Sequence, residues 1–287
     1  MVMRKTTAFF MLLLGIQSFA YAQNSTCDYV NYNDGNYASV NGIRIYYKSF
    51  GEGKQTVLLL HSAYRSMEQF CEQINLLSSR YRVIAMDTRG HGRSTDNDQP
   101  YNYSLFASDA DALLSQLGIN SAMVVGIGDG ANTAIQMALT YPKKVEKLVV
   151  AGANLTADSK AVSDNILRSV RVASAQSLDS AIIGYYTRFS QNPKAFPAFF
   201  EKMKKLLLTY PNLKETDLKA IQVPTLVISG DHDFILLENT IRIFRNIPKS
   251  NLFVVPGSGH YAFQGNEMVS EYMKTFLIED FQTLTKY

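Results

Sequence analysis

Three short stretches carry residues able to move protons and hold negative charge. Residues 126–131 read Gly-Ile-Gly-Asp-Gly-Ala, residues 229–233 read Ser-Gly-Asp-His-Asp, and His260 follows Pro-Gly-Ser-Gly. A histidine oriented by a carboxylate is a general base. A glycine turn that opens a helix offers backbone N–H groups to negative charge. The turn also fits a dinucleotide fingerprint, with Gly126, Gly128 and Ala131 at the required spacing. That reading needs an acid at the end of the following strand to hold a ribose. The following strand instead ends Val149-Val150-Ala151-Gly152, Glu146 falls at its beginning, and two strand–helix units precede the motif. Nucleotide binding is therefore the weaker reading.

The stronger one is an elbow: a strand, a sharp turn and a helix, with small residues two places either side of an exposed central position. Gly126 and Gly130 are the small flanks, and the central residue is Gly128. Glycine carries no side chain, so covalent attack from that position is impossible. An acid and then a histidine should follow in chain order, each after a later strand. Asp233 is the expected acid, with Asp231 the competitor and His232 expected at the surface. His260 is the expected base, free either to activate water where the hydroxyl is missing or to stand as a relic. Early in the chain, His61-Ser62-Ala63-Tyr64 occupies the place of a loop that donates backbone N–H groups. Ser62, Tyr64 and Ser258 are hydroxyls near the mouth, and Ser62 is the least poor candidate for a relocated nucleophile. The charged turn holding Asp87, Arg89, His91 and Arg93 reads as a loop fastener.

These residues must be held by a sheet. Apolar runs at 57–60, 81–86, 122–125, 145–151, 221–228 and 252–255 read as strands, and Asn41-Gly42 joins two more at 37–40 and 43–49 in a hairpin. Helical spacing occurs at 66–79, 103–117, 131–141, 237–246 and 267–281. Strands that alternate with helices and are apolar throughout predict a mostly parallel sheet covered on both faces. Residues 155–219 break the rhythm with helical patterning and many aromatics, among them Tyr185, Tyr186, Phe189, Phe196, Phe199, Phe200 and Tyr210. They predict a small helical lid, its aromatics mostly anchoring it to the core.

On these motifs the chain resembles the α/β-hydrolases of the lidded, single-domain type, a group that includes esterases, lactonases and small-amide hydrolases. The resemblance runs from about Tyr37 to Phe276 and is most specific at 87–94, 126–131, 223–233 and the glycine before His260. It implies a serine at position 128 attacking an ester or related bond. Asp233 then matches the triad acid, His260 the base, and Ala63 and Asp129 the two backbone oxyanion donors. Two residues depart from the pattern: Gly128 replaces the serine, and Ser62 stands where a glycine normally follows the loop histidine.

Composition sets the limits. The chain has 287 residues, 46% hydrophobic, enough for one large core, and a net charge of +3 that does not suit a nucleic-acid binder. The first residues, MVMRKTTAFFMLLLGIQSFAYAQ, combine a basic start, a short apolar stretch and Ala20-Tyr21-Ala22. That is the pattern of a cleaved export signal, with cleavage expected after Ala22 and a periplasmic or secreted product that is not inserted in the membrane. The expected organisation is signal at 1–22, hydrolase core at 23–154, lid at 155–219 and core again at 220–287. Cys27 and Cys71 allow at most one internal disulfide. The 4 histidines lack metal-ligand spacing, so neither metal nor cofactor is expected. The partner expected is a small molecule, and oligomeric state is left open. The sequence thus predicts a hydrolase scaffold for a small ester, lactone or amide whose activity is weak, water-based through His260, or lost. The alternative is a non-catalytic protein that binds a small ligand.

Overall fold

The computed structural model describes residues 31–279. The expected export signal, its cleavage site and Cys27 lie outside them. Cys71 is disulfide-bonded.

Eight strands form one sheet: β1 (Asn36–Val40), β2 (Ile43–Phe50), β3 (Thr56–Leu60), β4 (Arg82–Met86), β5 (Ala122–Ile127), β6 (Val145–Ala151), β7 (Thr225–Gly230) and β8 (Ser250–Val255). Their spatial order is β1-β2-β4-β3-β5-β6-β7-β8. β1 and β2 pair antiparallel through the Asn41-Gly42 turn, and β2 pairs antiparallel with β4. From β4 to β8 every pairing is parallel. The turn residues Asn41 and Gly42 both have positive φ, 48° and 75°, as a two-residue hairpin requires.

The flanking helices are α1 (Cys71–Ser78), α2 (Tyr103–Gln116), α3 (Asp129–Thr140), α4 (Asp164–Val172), α5 (Ser180–Phe189), α6 (Phe196–Thr209), α7 (Glu215–Leu218), α8 (Leu237–Asn246) and α9 (Glu267–Ile278). Strand periodicity explains how one sheet feeds two cores. Along the fully buried β3, Leu58 and Leu60 join the layer containing α2 and α3, while Val57 and Leu59 join the layer containing α1 and α9. This is the α/β-hydrolase fold anticipated from the sequence, with a mostly parallel central sheet flanked by helices.

Some boundaries differ from those expected. The run at 221–228 splits, because Pro224 has no N–H for the ladder, and β7 starts at Thr225 while Ile221 turns into the core beside α7. α3 begins at Asp129 rather than 131, immediately at the elbow. The segment at 66–79 starts as a 3-10 turn, Met67–Phe70, capped by Ser66.

Between β6 and β7, α4, α5 and α6 form a separate cluster. Tyr186, Phe196, Phe199 and Phe200 pack with Tyr101, Tyr103 and Phe106, which joins this helical region to the core. Among the described residues, no helix is long and apolar enough to cross a membrane.

Candidate active site

The parallel strands deliver their C-terminal ends to one place. Gly128 follows β5, Gly152 follows β6, Asp233 lies three residues beyond β7, and His260 lies five beyond β8. Ligand sites of open α/β sheets form at this edge.

The elbow is built from glycine because backbone meets backbone there. A Cβ on Gly130 would stand 1.8 Å from Leu60 O, and one on Gly126 would stand 2.2 Å from Gly130 O. Gly128 has φ 56° and ψ −118°, a conformation that side chains rarely adopt. Its N–H donates to Ala151 O at 2.8 Å, which prolongs the β5–β6 ladder into the turn. The turn at Gly128 is thus strained and carries no side chain.

His260 and Asp233 meet. His260 Nδ1 lies 2.9 Å from Asp233 Oδ1 and 3.2 Å from Oδ2, and the Asp233 side chain is buried. Asp233 Oδ1 also accepts the Ile235 N–H at 2.9 Å, which fixes the carboxylate. With Nδ1–H donated to Asp233, the lone pair of Nε2 is free. Nε2 stands 3.1 Å from the point a Cβ on residue 128 would occupy, so this nitrogen faces the elbow. The Phe234 ring stacks on the imidazole, with centroids 4.1 Å apart. Asp231 plays another part: it pairs with the exposed His232 and accepts the Ser258 N–H, closing the turn below the site.

The opposite wall is the loop after β3. His61 Nε2 accepts the Thr88 N–H at 2.9 Å, and its Nδ1 lies 2.9 Å from Ser62 O, which sets a neutral tautomer. Burial pushes the His61 pKa down to about 3 and that of His91 to about 4, so both rings stay uncharged. Ser62 is buried, and its N–H and hydroxyl both donate to Gln69 Oε1, at 2.8 and 3.1 Å. Its hydroxyl therefore points to a structural partner rather than to His260. Tyr64 takes a positive φ of 57° in the same turn and packs edge-on against Phe199. The backbone N–H groups of Ala63 and Asp129 have no protein acceptor among the described residues. Both residues line the cavity above Gly128, and the N-terminus of α3 adds its field there.

The charged turn after β4 fastens these loops. Asp87 accepts N–H bonds from Met67 and Arg93, each at 2.8 Å. Arg89 forms a buried bidentate pair with Asp109, at 2.6 and 2.8 Å.

The cavity measures about 110 Å³. Gly128 and His260 form part of its wall, and the helical region contributes apolar side chains such as Ile166, Leu167 and Phe200. Of the lid aromatics, Phe200 and Tyr210 reach it, while Tyr186 stacks on Phe199 and Tyr185 bonds Ser66. Asp129 Oδ1 accepts the Tyr103 hydroxyl at 2.6 Å, and Oδ2 is buried with no protein donor among the described residues. Burial raises its pKa to about 6, against the downward pull of Tyr103 and His260. Among the described residues, no group of three or more His, Cys, Asp or Glu side chains is placed to hold a metal ion.

Four residues of the site escape sequence reasoning. Gly152, φ 66°, lies under the pair: a Cβ there would meet His260 Cε1 at 2.7 Å and Nδ1 at 2.9 Å. Its only signal is a glycine closing a strand. Phe234 and Tyr103 carry no signal because their partners, His260 and Asp129, lie in other segments, and Gln69 carries none because its bonds to Ser62 depend on how the loop between them folds.

A family model described as alpha/beta hydrolase fold matches residues 55–171. The chain is similar to the human serine hydrolase BPHL, 28% identical, with 82% of this chain and 85% of the relative covered. It is also similar to a 2-hydroxy-6-oxononadienedioate/2-hydroxy-6-oxononatrienedioate hydrolase of Pseudomonas putida, 27% identical over 77% of this chain and 86% of the relative. Among solved structures it resembles the carboxylesterase CesB of Bacillus subtilis, with TM-score 0.72, 20% identity and coverage of 95% and 98%. It further resembles the enol-lactonase of Burkholderia xenovorans, with TM-score 0.69, 21% identity and coverage of 85% and 100%. At these identities the structural likeness is one of fold.

Proposed function

We propose that this α/β-hydrolase-fold protein hydrolyses a small ester, lactone or amide with water activated by His260. The observation that carries the reading is the position of His260: bonded to Asp233 on one side, it turns Nε2 to the space a side chain on residue 128 would fill. The likeness to hydrolases, an esterase and a lactonase supports the reaction class.

In this mechanism a water above Gly128 gives its proton to Nε2 as its oxygen bonds the carbonyl carbon. Asp233 stabilises the imidazolium that forms. The tetrahedral oxyanion is met by the N–H groups of Ala63 and Asp129. The carbon–leaving-group bond then breaks, and the leaving atom takes the proton back from Nε2. General-base assistance contributes roughly 10²–10⁴-fold. No acyl-enzyme forms, so turnover is slow beside that of an intact serine triad. We place the working protein outside the cytoplasm, on the pattern of its leader, and N-terminal sequencing of the exported protein is expected to begin at Gln23.

Purified protein incubated with short acyl esters and small lactones should give slow, linear product formation and no adduct with a serine-directed phosphonate. The second reading, binding without turnover, draws on the missing hydroxyl at Gly128. It is preferred if a small ligand is retained and no substrate is hydrolysed.

A further inference from the structure

Arg65 closes the turn that begins at Ser62, its N–H donating to Ser62 O at 3.3 Å. No carboxylate among the described residues pairs with its guanidinium. Two tyrosine rings hold it instead: Cζ lies 5.6 Å from the centre of Tyr185 and 5.5 Å from that of Tyr261. Both rings are themselves placed. Tyr185 shares a 2.7 Å hydrogen bond with Ser66, and Tyr261 follows His260 directly, its ring 5.3 Å from the imidazole. Arg65 is only partly exposed, so its charge is neither fully hydrated nor neutralised by the protein. The neighbouring Arg93 differs, being paired with Glu68 at 3.0 Å.

The Tyr261 ring connects this cation to the reaction space, since it also lines the cavity above Gly128. A guanidinium fixed by aromatic faces, with N–H donors unspent, is prepared for a planar anion. We propose that Arg65 is a carboxylate-recognition site beside the Tyr261 wall of the cavity, and that the substrate is a small ester or lactone bearing a carboxylate. The apolar part of such a molecule enters the cavity while its anionic end stays at Arg65. The choice of substrate rests on the hydrolytic reading, but the anion site is measured without turnover.

The test is equilibrium binding of hexanoate and of its neutral analogue hexanamide, by calorimetry or ligand-observed NMR at low salt. Hexanoate is expected to bind the wild type about tenfold more tightly or better, a preference that added salt reduces. Arg65→Gln should bring the two affinities within about threefold and Arg65→Lys should keep only part of the preference, whereas the exposed control Arg188→Gln should keep all of it. Equal binding by the wild type overturns the anion site but leaves hydrolysis standing. A preference that survives in Arg65→Gln overturns it too, because the carboxylate is then held by the Ala63 and Asp129 N–H groups. Failure of both compounds to bind overturns the cavity as the ligand site, and the proposed function with it. Should Arg65→Gln not fold, a wild-type preference indifferent to salt overturns the proposal.

Discussion

Ser62 Cβ stands 3.0 Å from the point where a Cβ on residue 128 would be, so these two positions share one small volume. A side chain is present at 62 and absent at 128, the reverse of the pattern the chain resembles. The two positions are thus sterically coupled. Gly128→Ser alone crowds the new hydroxyl between Ser62 and His260 Nε2, and it strains a φ of 56°. It is expected to cost about 1–3 kcal/mol of stability and to react poorly. The double variant Ser62→Gly, Gly128→Ser should be labelled by a serine-directed phosphonate about tenfold faster or more, a gain expected when a neighbouring clash is removed. Intact-mass time courses on both proteins check this.

Gly152 packs against the His260–Asp233 pair. Gly152→Ala sets a Cβ against the imidazole at 2.7 Å and adds a side chain at φ 66°. The expected result is a loss of about 1–3 kcal/mol of stability. Ester hydrolysis should fall by about tenfold or more as Nε2 is pushed from the elbow. Denaturant melts and initial rates on the same preparation separate the two effects.

Asp129 makes stability pH-dependent in a defined direction. Its folded pKa is raised from 3.8 to about 6, so between those values the folded state holds the proton more tightly than the unfolded chain. This contribution is present at low pH and is lost as pH rises through about 6. Relative to wild type, Asp129→Asn should therefore gain stability from pH 4 to pH 7, on the order of 1–3 kcal/mol. Paired urea melts at both values test the sign. His61 and His91 run oppositely: their pKa values are depressed, so their contribution is lost as pH falls below about 6.5 toward 4 and 3.

The Arg89–Asp109 pair fastens the charged turn to α2 with neither side chain exposed. Asp109→Ala leaves a buried guanidinium without its partner and should cost about 3–5 kcal/mol. Because His61 is bonded to Thr88 beside that turn, the loop after β3 should loosen as well. Amide exchange at residues 61–66 is expected to accelerate.

How much of this was visible in the sequence follows the range of each interaction. That Asp233 and His260 meet could be anticipated because each lies in the loop after an apolar strand, and the order of strands restricts where such loops end. The elbow was legible for the same reason. The sheet order, which sets β6 between β5 and β7 and so brings Gly152 against Asp233 and His260, cannot be read from local pattern. Nor can the contact of Ser62 with position 128, or the two tyrosines that flank Arg65. Those depend on register and on loops 66 to more than 100 residues apart in the chain. The apolar residues before Pro224 have the pattern of strand but serve the core from a turn, which puts the start of β7 later than pattern alone suggests.

His260 is the group proposed to activate water. Its most direct test is the initial rate of short-ester hydrolysis by wild type and His260→Gln, each pre-treated with a serine-directed phosphonate. The account predicts slow wild-type turnover that the reagent leaves unchanged and that falls by about a hundredfold in His260→Gln. Turnover that survives the histidine substitution, or that the reagent abolishes, would contradict it.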